Sequence, residues 1–282
     1  TCYDEDFSGS LDADWRLLYS DGGYTPEILN GRLRMTTASN KLATAMTKDY
    51  EFVAGENLIS IEFDHFAYNG SGADGFAIVL YDSSVGASPQ PGAFGGSLGY
   101  AQKDAAISDA TVDTPGFEGG WLGLGLDEYG NYSNPTEGRD GGTGFIQNGI
   151  AIRGKGSGQT GYTYLAGTAT LNPVLWSSTT NYSGGRFRMT VDSRDPLHLY
   201  ITLERDSARD GTYESVIINK FDAIGNQGVS PDYIRLAVTA STGGSNAIHE
   251  LDELIVKGVC RAYNQDLPDY SVGFVDAVDS SY

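Results

Sequence analysis

Positive charge is scarce in this sequence. Its 282 residues carry 18 Lys and Arg against 37 Asp and Glu, a formal net charge of −19. Phosphate binding needs clustered cations, so nucleic acid and anionic membrane surfaces are poor partners. Long apolar runs are also missing: none approaches the roughly 18 residues of a membrane span, which argues against membrane insertion. The three histidines, His65, His198 and His249, are scattered. They show neither metal-ligand spacing nor the pattern of a Ser-His-Asp site. No amphipathic stretch exceeds two helical turns, the nearest lying around 219–224. Cysteine is limited to Cys2 and Cys260, near opposite ends. Two unpaired thiols are one reading. The favoured one is a disulfide tying the first strand to the last, which requires an oxidising compartment and Cα atoms within about 7 Å. The chain begins Thr1-Cys2-Tyr3, without an initiator Met or a basic and apolar leader, and reads as a mature protein or an excised module.

Glycine is abundant at 38 residues and tyrosine at 18, in a chain 40% hydrophobic and 20% charged. Charge is too low for disorder, and the length suffices for one large β domain with a full core. Period-2 alternation recurs. In 57–68, Ile59, Ile61 and Phe63 face one way and Ser60, Glu62 and Asp64 the other. In 186–192, Phe187, Met189 and Val191 alternate with Arg188 and Thr190. In 197–205 the apolar set is Leu197, Leu199, Ile201 and Leu203; in 233–239 it is Ile234, Leu236 and Val238. These are half-buried antiparallel strands. Segments 77–80 and 121–126 are more continuously apolar, which places them mid-sandwich. The predicted core includes Ile59, Phe63, Val79, Leu199, Ile201, Leu203 and Leu236. The fold class is all-β, an antiparallel sandwich over 1–260. Two glycine-rich stretches, 83–120 and 130–149, flank the most apolar strands and read as functional loops at one end. Residues 261–282 lack periodicity and read as a C-terminal extension or the start of a linker.

The sharpest chemical signal is Gly123-Leu124-Gly125-Leu126-Asp127-Glu128-Tyr129-Gly130-Asn131. A strand delivers Asp127 to its end; the Tyr129 carbonyl and the Asn131 side-chain oxygen follow at two-residue steps. Oxygens so spaced suit calcium, which takes about six to eight of them, and Glu137 lies near enough to close the shell. An ordinary turn is the competing reading. Two further glycine-rich blocks are Gly72-Ala73-Asp74-Gly75-Phe76, entering a buried strand, and Gly92-Ala93-Phe94-Gly95-Gly96-Ser97-Leu98-Gly99-Tyr100. The glycine-rich loops also carry aromatic rings, Phe94, Tyr100, Tyr129 and Tyr132. Arg153 begins another glycine-rich loop; it reaches the site or, on the favoured reading, makes an exposed salt bridge.

With Leu236-Ala237-Val238-Thr239-Ala240-Ser241-Thr242-Gly243 and the strand from Ile248 to Val256, these blocks resemble the L-type lectins, the legume-lectin-like or concanavalin A-like jelly rolls. All four occur in that family's order over 72–256. The wording at Pro89-Gln90-Pro91-Gly92 and Gly119-Gly120-Trp121 is similar to modules of bacterial repeats-in-toxin adhesins and of mannose-sensitive haemagglutinin pilus proteins. The resemblance implies a concanavalin A-like jelly roll and a calcium-dependent, non-enzymatic carbohydrate-binding module. Its partners would be cell-surface glycans, as a monomeric module of a larger extracellular adhesin on a bacterial surface. Carried over, the sugar site is Asp74, Gly95, Gly96, Tyr129, Asn131, Tyr132 and Gly243. The calcium ligands are Asp74, Asp127, Tyr129, Asn131 and Glu137. The resemblance also implies a cis peptide at Ala73–Asp74. Gly125 stands where many relatives carry an acid for a second, transition metal, so no such metal is expected.

Two rivals remain. A glycoside hydrolase on this fold would need paired carboxylates, often as Glu-x-Asp-x-x-Glu. Glu250-Leu251-Asp252 begins that pattern, but Ile255 occupies the third acid's place, and solvent-facing carboxylates on an edge strand are the favoured reading. A non-binding structural module would not need the elaborate loops.

Overall fold

A computed structural model describes residues 1–107 and 112–263. Among them the chain forms two large antiparallel sheets packed face to face. One has the strand order Ser215–Asp222, Tyr200–Asp206, Ser183–Asp192, Leu58–Tyr68, Ile248–Lys257, Arg32–Thr36 and Glu27–Leu29, with Tyr3–Glu5 also pairing Ile248–Lys257. The other runs Tyr164–Gly167, Gly149–Arg153, Gly120–Asp127, Gly75–Asp82, Tyr233–Ser241, Ala43–Lys48 and Trp15–Asp21. At its edge Tyr50–Val53 pairs with both Tyr233–Ser241 and Cys260–Ala262. The final strand thus runs to Ala262, and residues 264–282 of the expected extension lie outside the described residues.

The alternating residues do what period 2 demands. Ile59, Ile61, Phe63, Phe187, Met189, Val191, Ile201 and Leu203 of the first sheet meet Phe76, Ile78, Leu80, Leu124, Leu126, Ile234, Leu236 and Val238 of the second. The two continuously apolar strands, Gly75–Asp82 and Gly120–Asp127, lie side by side in the second sheet, paired through Phe76–Leu126 and Ile78–Leu124. They are buried on both faces, because residues 83–107, 112–119 and 130–149 fold over the outer one. A second apolar cluster forms there from Ala77, Val79, Tyr81, Leu98, Tyr100, Phe117, Tyr132 and Tyr162. Val79 therefore belongs to the loop-covered cluster, not to the main core where the sequence placed it.

Three local expectations need correction. Leu197 is 74% exposed and precedes its strand. Asp195 folds a turn back on it, its side chain accepting from Leu197 N at 2.9 Å and its carbonyl from His198 N at 3.1 Å. Residues 219–222 are strand, and the single described α-helical turn is Ile224–Gln227, begun where Asp222 Oδ1 accepts from Ile224 N at 3.1 Å. Ile248–Lys257 is interior to its sheet, not an edge.

Cys2 and Cys260 form a disulfide with Cα atoms 6.1 Å apart, stapling one sheet to the other at 258 residues' separation. Close by, Glu5, Asp12 and Asp14 form an acidic cluster. The buried Lys48 ammonium pairs with Glu5 and lies 2.7 Å from Asp14, so one cation offsets part of the cluster's charge.

Candidate functional site

Four segments far apart in sequence converge at one end of the second sheet. The turn before Gly75–Asp82 carries the Ala73–Asp74 peptide, which is cis. Asp74 N donates to Ser241 O at 2.8 Å, and Tyr129 N donates to Asp74 O at 3.2 Å, so the backbone alone ties three of the segments together. Ser241 Oγ donates to Asp74 Oδ2 at 2.8 Å and accepts from Gly95 N at 3.3 Å. A Cβ on Gly243 would stand 3.4 Å from Asp74 Oδ1. A Cβ on Gly96 would come within 2.7 Å of Asn131 Cβ, so only glycine permits that approach. The structure brings Asp74, Gly95, Gly96, Tyr129, Asn131 and Gly243 into one neighbourhood.

Asp127 ends its strand 2% exposed. Its Oδ1 accepts from Gly130 N at 2.8 Å and its Oδ2 from Tyr132 N at 2.7 Å, which folds the metal-type loop around it. Burial pushes its pKa up to about 8 against those hydrogen bonds, with the Glu128 and Asp74 charges adding to the rise. Burial also raises Asp74, opposed by the Ser241 hydrogen bond. Glu128 is buried as well: one oxygen pairs with His249 Nε2, and Oε2 has no partner among the described residues. His249 Nδ1 lies 2.6 Å from Thr36 Oγ1. Three buried carboxylates, Asp74, Asp127 and Glu128, thus lie at one end of the sheet. Carboxylate, carbonyl and amide oxygens are the donors a hard cation takes. Asp127, the Tyr129 carbonyl and Asn131 would hold it, with Asp74 bracing.

Two expected members do not fit. Glu137 is turned away into ion pairs with Lys103 at 2.9 Å and Arg139 at 3.0 Å, which hold its carboxyl below the usual range despite partial burial. A carboxylate so committed is a poor calcium ligand. Tyr132 is fully buried, its hydroxyl donating to Gly123 O at 2.9 Å, so it cannot be a sugar platform. Tyr100 is buried likewise and donates to Gly154 O at 2.7 Å. The solvent-facing rings are Tyr129, 39% exposed, and Phe94, half-buried and stacked on Tyr19 at 5.4 Å. At Gly125 a Cβ would lie 2.2 Å from the Tyr132 ring, so an acid has no room there while that ring fills the space.

Arg153 makes no exposed salt bridge. It is fully buried and donates to four carbonyls: Tyr132 at 3.0 Å, and Asp140, Tyr162 and Gly141 at 2.9 Å each. Burial lowers its pKa to about 10. Arg139, which sequence reasoning missed, is equally interior. It donates to Asn134 O at 3.0 Å, Ser97 Oγ at 2.9 Å and Thr136 Oγ1 at 2.9 Å, bridging the Gly95–Ser97 turn to the metal-type loop. The Glu128–His249 pair was missed too, since 121 residues separate its members. The hydrolase-like acids are not poised for catalysis: Glu250 is buried against Arg32 at 3.1 Å and Arg34 at 2.8 Å, and Asp252 lies at a bulge.

No protein-family model matches the chain, and no curated protein matches it. Solved structures do. The Lotus tetragonolobus seed lectin is 15% identical with a TM-score of 0.58, covering 92% of this chain and 98% of its own. Peanut lectin is 14% identical with a TM-score of 0.55, covering 92% and 97%. The exoplasmic/lumenal domain of VIP36 is 13% identical with a TM-score of 0.51, covering 92% and 89%. At such identities the likeness speaks for architecture. Together with the two antiparallel sheets and the loop-covered outer face, it establishes that this chain has the concanavalin A-like, legume-lectin-type jelly-roll fold.

Proposed function

We propose that this chain is a calcium-dependent carbohydrate-binding module of a bacterial surface adhesin, acting outside the cell by attaching to glycans without cleaving them. The observation that carries the reading is the convergence of Asp74, Gly95–Gly96, Asn131 and Gly243 from four distant segments around one buried carboxylate. Asp74 Oδ2 is held by Ser241, which leaves Oδ1 to accept sugar hydroxyls. Each charge-assisted bond of this kind is worth about 1.5–3 kcal/mol. The Asn131 amide and the Gly96 backbone supply N–H donors, and Tyr129 supplies an exposed ring for a C–H face. Calcium, when bound, supplies the positive charge that keeps the neighbouring carboxylates ionised and acceptor-only. Fold neighbours support this: one is lectin UEA-II complexed with galactose, and the VIP36 domain is a Ca2+/Man3GlcNAc-bound form. The disulfide fits an oxidising exterior. A shallow site is weak alone, so tight adhesion would come from many copies. A glycan array probed with calcium and with chelator, followed by product analysis, tests the reading. Calcium-dependent retention of intact glycans is expected. Release of cleaved product would favour a hydrolase, and silence on the whole array would favour a structural module.

A further inference from the structure

Lys48 ends the Ala43–Lys48 strand with its side chain 1% exposed. Its ammonium pairs with Glu5, lies 2.7 Å from Asp14 Oδ1 and 3.9 Å from Asp12 Oδ2. Strand register brings these groups together. Lys48 stands opposite Trp15, so Asp14 arrives one residue before that strand, held by Asp49 N donating to Asp14 O at 2.8 Å. Glu5 comes from the other sheet, on Tyr3–Glu5. An oxygen of each of Glu5, Asp12 and Asp14 lies within 4.8 Å of the others. Three rings shield the nitrogen: the Tyr3, Trp15 and Tyr50 centroids lie 5.2, 5.3 and 5.7 Å away, and Tyr3 and Trp15 are themselves buried. Burial raises the Glu5 pKa against its Lys48 contact, which suits that carboxyl to carrying protons.

We propose that Lys48 Nζ condenses with the Asp14 carboxyl to form a side-chain amide, with Glu5 carrying the protons. The ammonium gives a proton to Glu5, and the freed amine attacks Asp14 Cγ. The Nζ–Cγ bond forms and one Cγ–O bond breaks. The departing oxygen takes the proton from Glu5 and a second from the nitrogen, and leaves as water. Of the three ammonium protons one stays on the amide, so no co-reactant is needed. Fixed proximity and a ring-shielded site favour the step. Held as ions, the groups bear the desolvation cost of a buried pair; joined as an amide they carry no charge. The link would tie the Ala43–Lys48 strand to the turn before Trp15–Asp21, within one sheet. Unlike the Cys2–Cys260 bond it would survive reduction, and it is independent of any glycan bound at Asp74.

Intact mass spectrometry of the reduced, denatured chain tests it, with fragment sequencing of its proteolytic peptides. Wild type is expected to be lighter than its sequence by one water, with Lys48 joined to Asp14. Lys48→Arg, Asp14→Ala and Glu5→Gln, each first checked for native β circular dichroism, are expected to keep their full mass. Wild type at full mass would overturn the proposal outright, whatever the variants do. So would a water loss mapped to an Asp-Gly peptide such as Asp140-Gly141, or a link from Lys48 to Glu5 or Asp12. A Glu5→Gln chain that loses water as wild type does would overturn the role given to Glu5.

Discussion

His65 lies in the main core with its ring stacked on Phe76, centroids 5.0 Å apart, and neither ring nitrogen has a partner among the described residues. Burial holds its pKa well below the ordinary histidine value, and the nearby His249 and Arg205 charges push the same way. The folded ring is therefore neutral where an unfolded one takes up a proton. Stability from this group is present above about pH 6.5 and is lost as pH falls towards the depressed folded value. His65→Leu should remove that dependence. Measured by urea unfolding, the wild type should lose about 1.4 kcal/mol per pH unit relative to the variant below pH 6.5. Parallel stability curves would contradict this. Single residues were unevenly legible in the sequence. Asp74 and Asn131 were named through the resemblance of their short blocks, Gly72-Ala73-Asp74-Gly75 and Asp127 to Asn131, to the L-type lectins, while the partners that surround Asp74, Ser241 and Gly243, are far away in sequence. Tyr132 and Glu137 could not be placed, because their directions are set by partners elsewhere: the Gly123 carbonyl in one case, Lys103 and Arg139 in the other.

At the level of elements, alternation located the strands well wherever one face packs and the other meets solvent, as in Leu58–Tyr68 and Ser183–Asp192. It was less informative where both faces are buried. The apolar runs at 77–80 and 121–126 pointed to the middle of a sandwich, but nothing in them said that loops, and not a third sheet, cover the outer face. What holds those loops is Arg153, whose fixed fork of donors reaches carbonyls of Tyr132, Asp140, Gly141 and Tyr162. Its signature in sequence is an arginine continuing the apolar run Ile150-Ala151-Ile152. Arg153→Met leaves the buried Tyr132 and Tyr162 carbonyls without their donor and frees the loop at the exposed Asp140 and Gly141. It should cost about 3–5 kcal/mol by denaturant unfolding. Amide hydrogen exchange should speed up across 130–149 while Leu58–Tyr68 stays protected. Uniform deprotection of both regions would show that Arg153 supports the whole sandwich and not the loops alone.

For the molecule as a whole, the two sheets are joined by hydrophobic burial through the core and by one covalent staple between Cys2 and Cys260. Closing so long a chain should stabilise the fold by about 5–6 kcal/mol in the chain-entropy model. The paired variant Cys2→Ser with Cys260→Ser should unfold at correspondingly lower urea and still bind glycan, since the staple contributes nothing to the Asp74 neighbourhood. Unchanged stability would contradict the first expectation. In the function proposed above, Asp74 and Asn131 grip a glycan with the help of calcium. The most direct measurement is glycan affinity by titration for wild type, Asp74→Ala and Asn131→Ala, with calcium and with chelator, each variant first checked for native β circular dichroism. Binding is expected from calcium-loaded wild type only, with both variants folded and silent. Wild-type affinity in either variant, with calcium present, would contradict it.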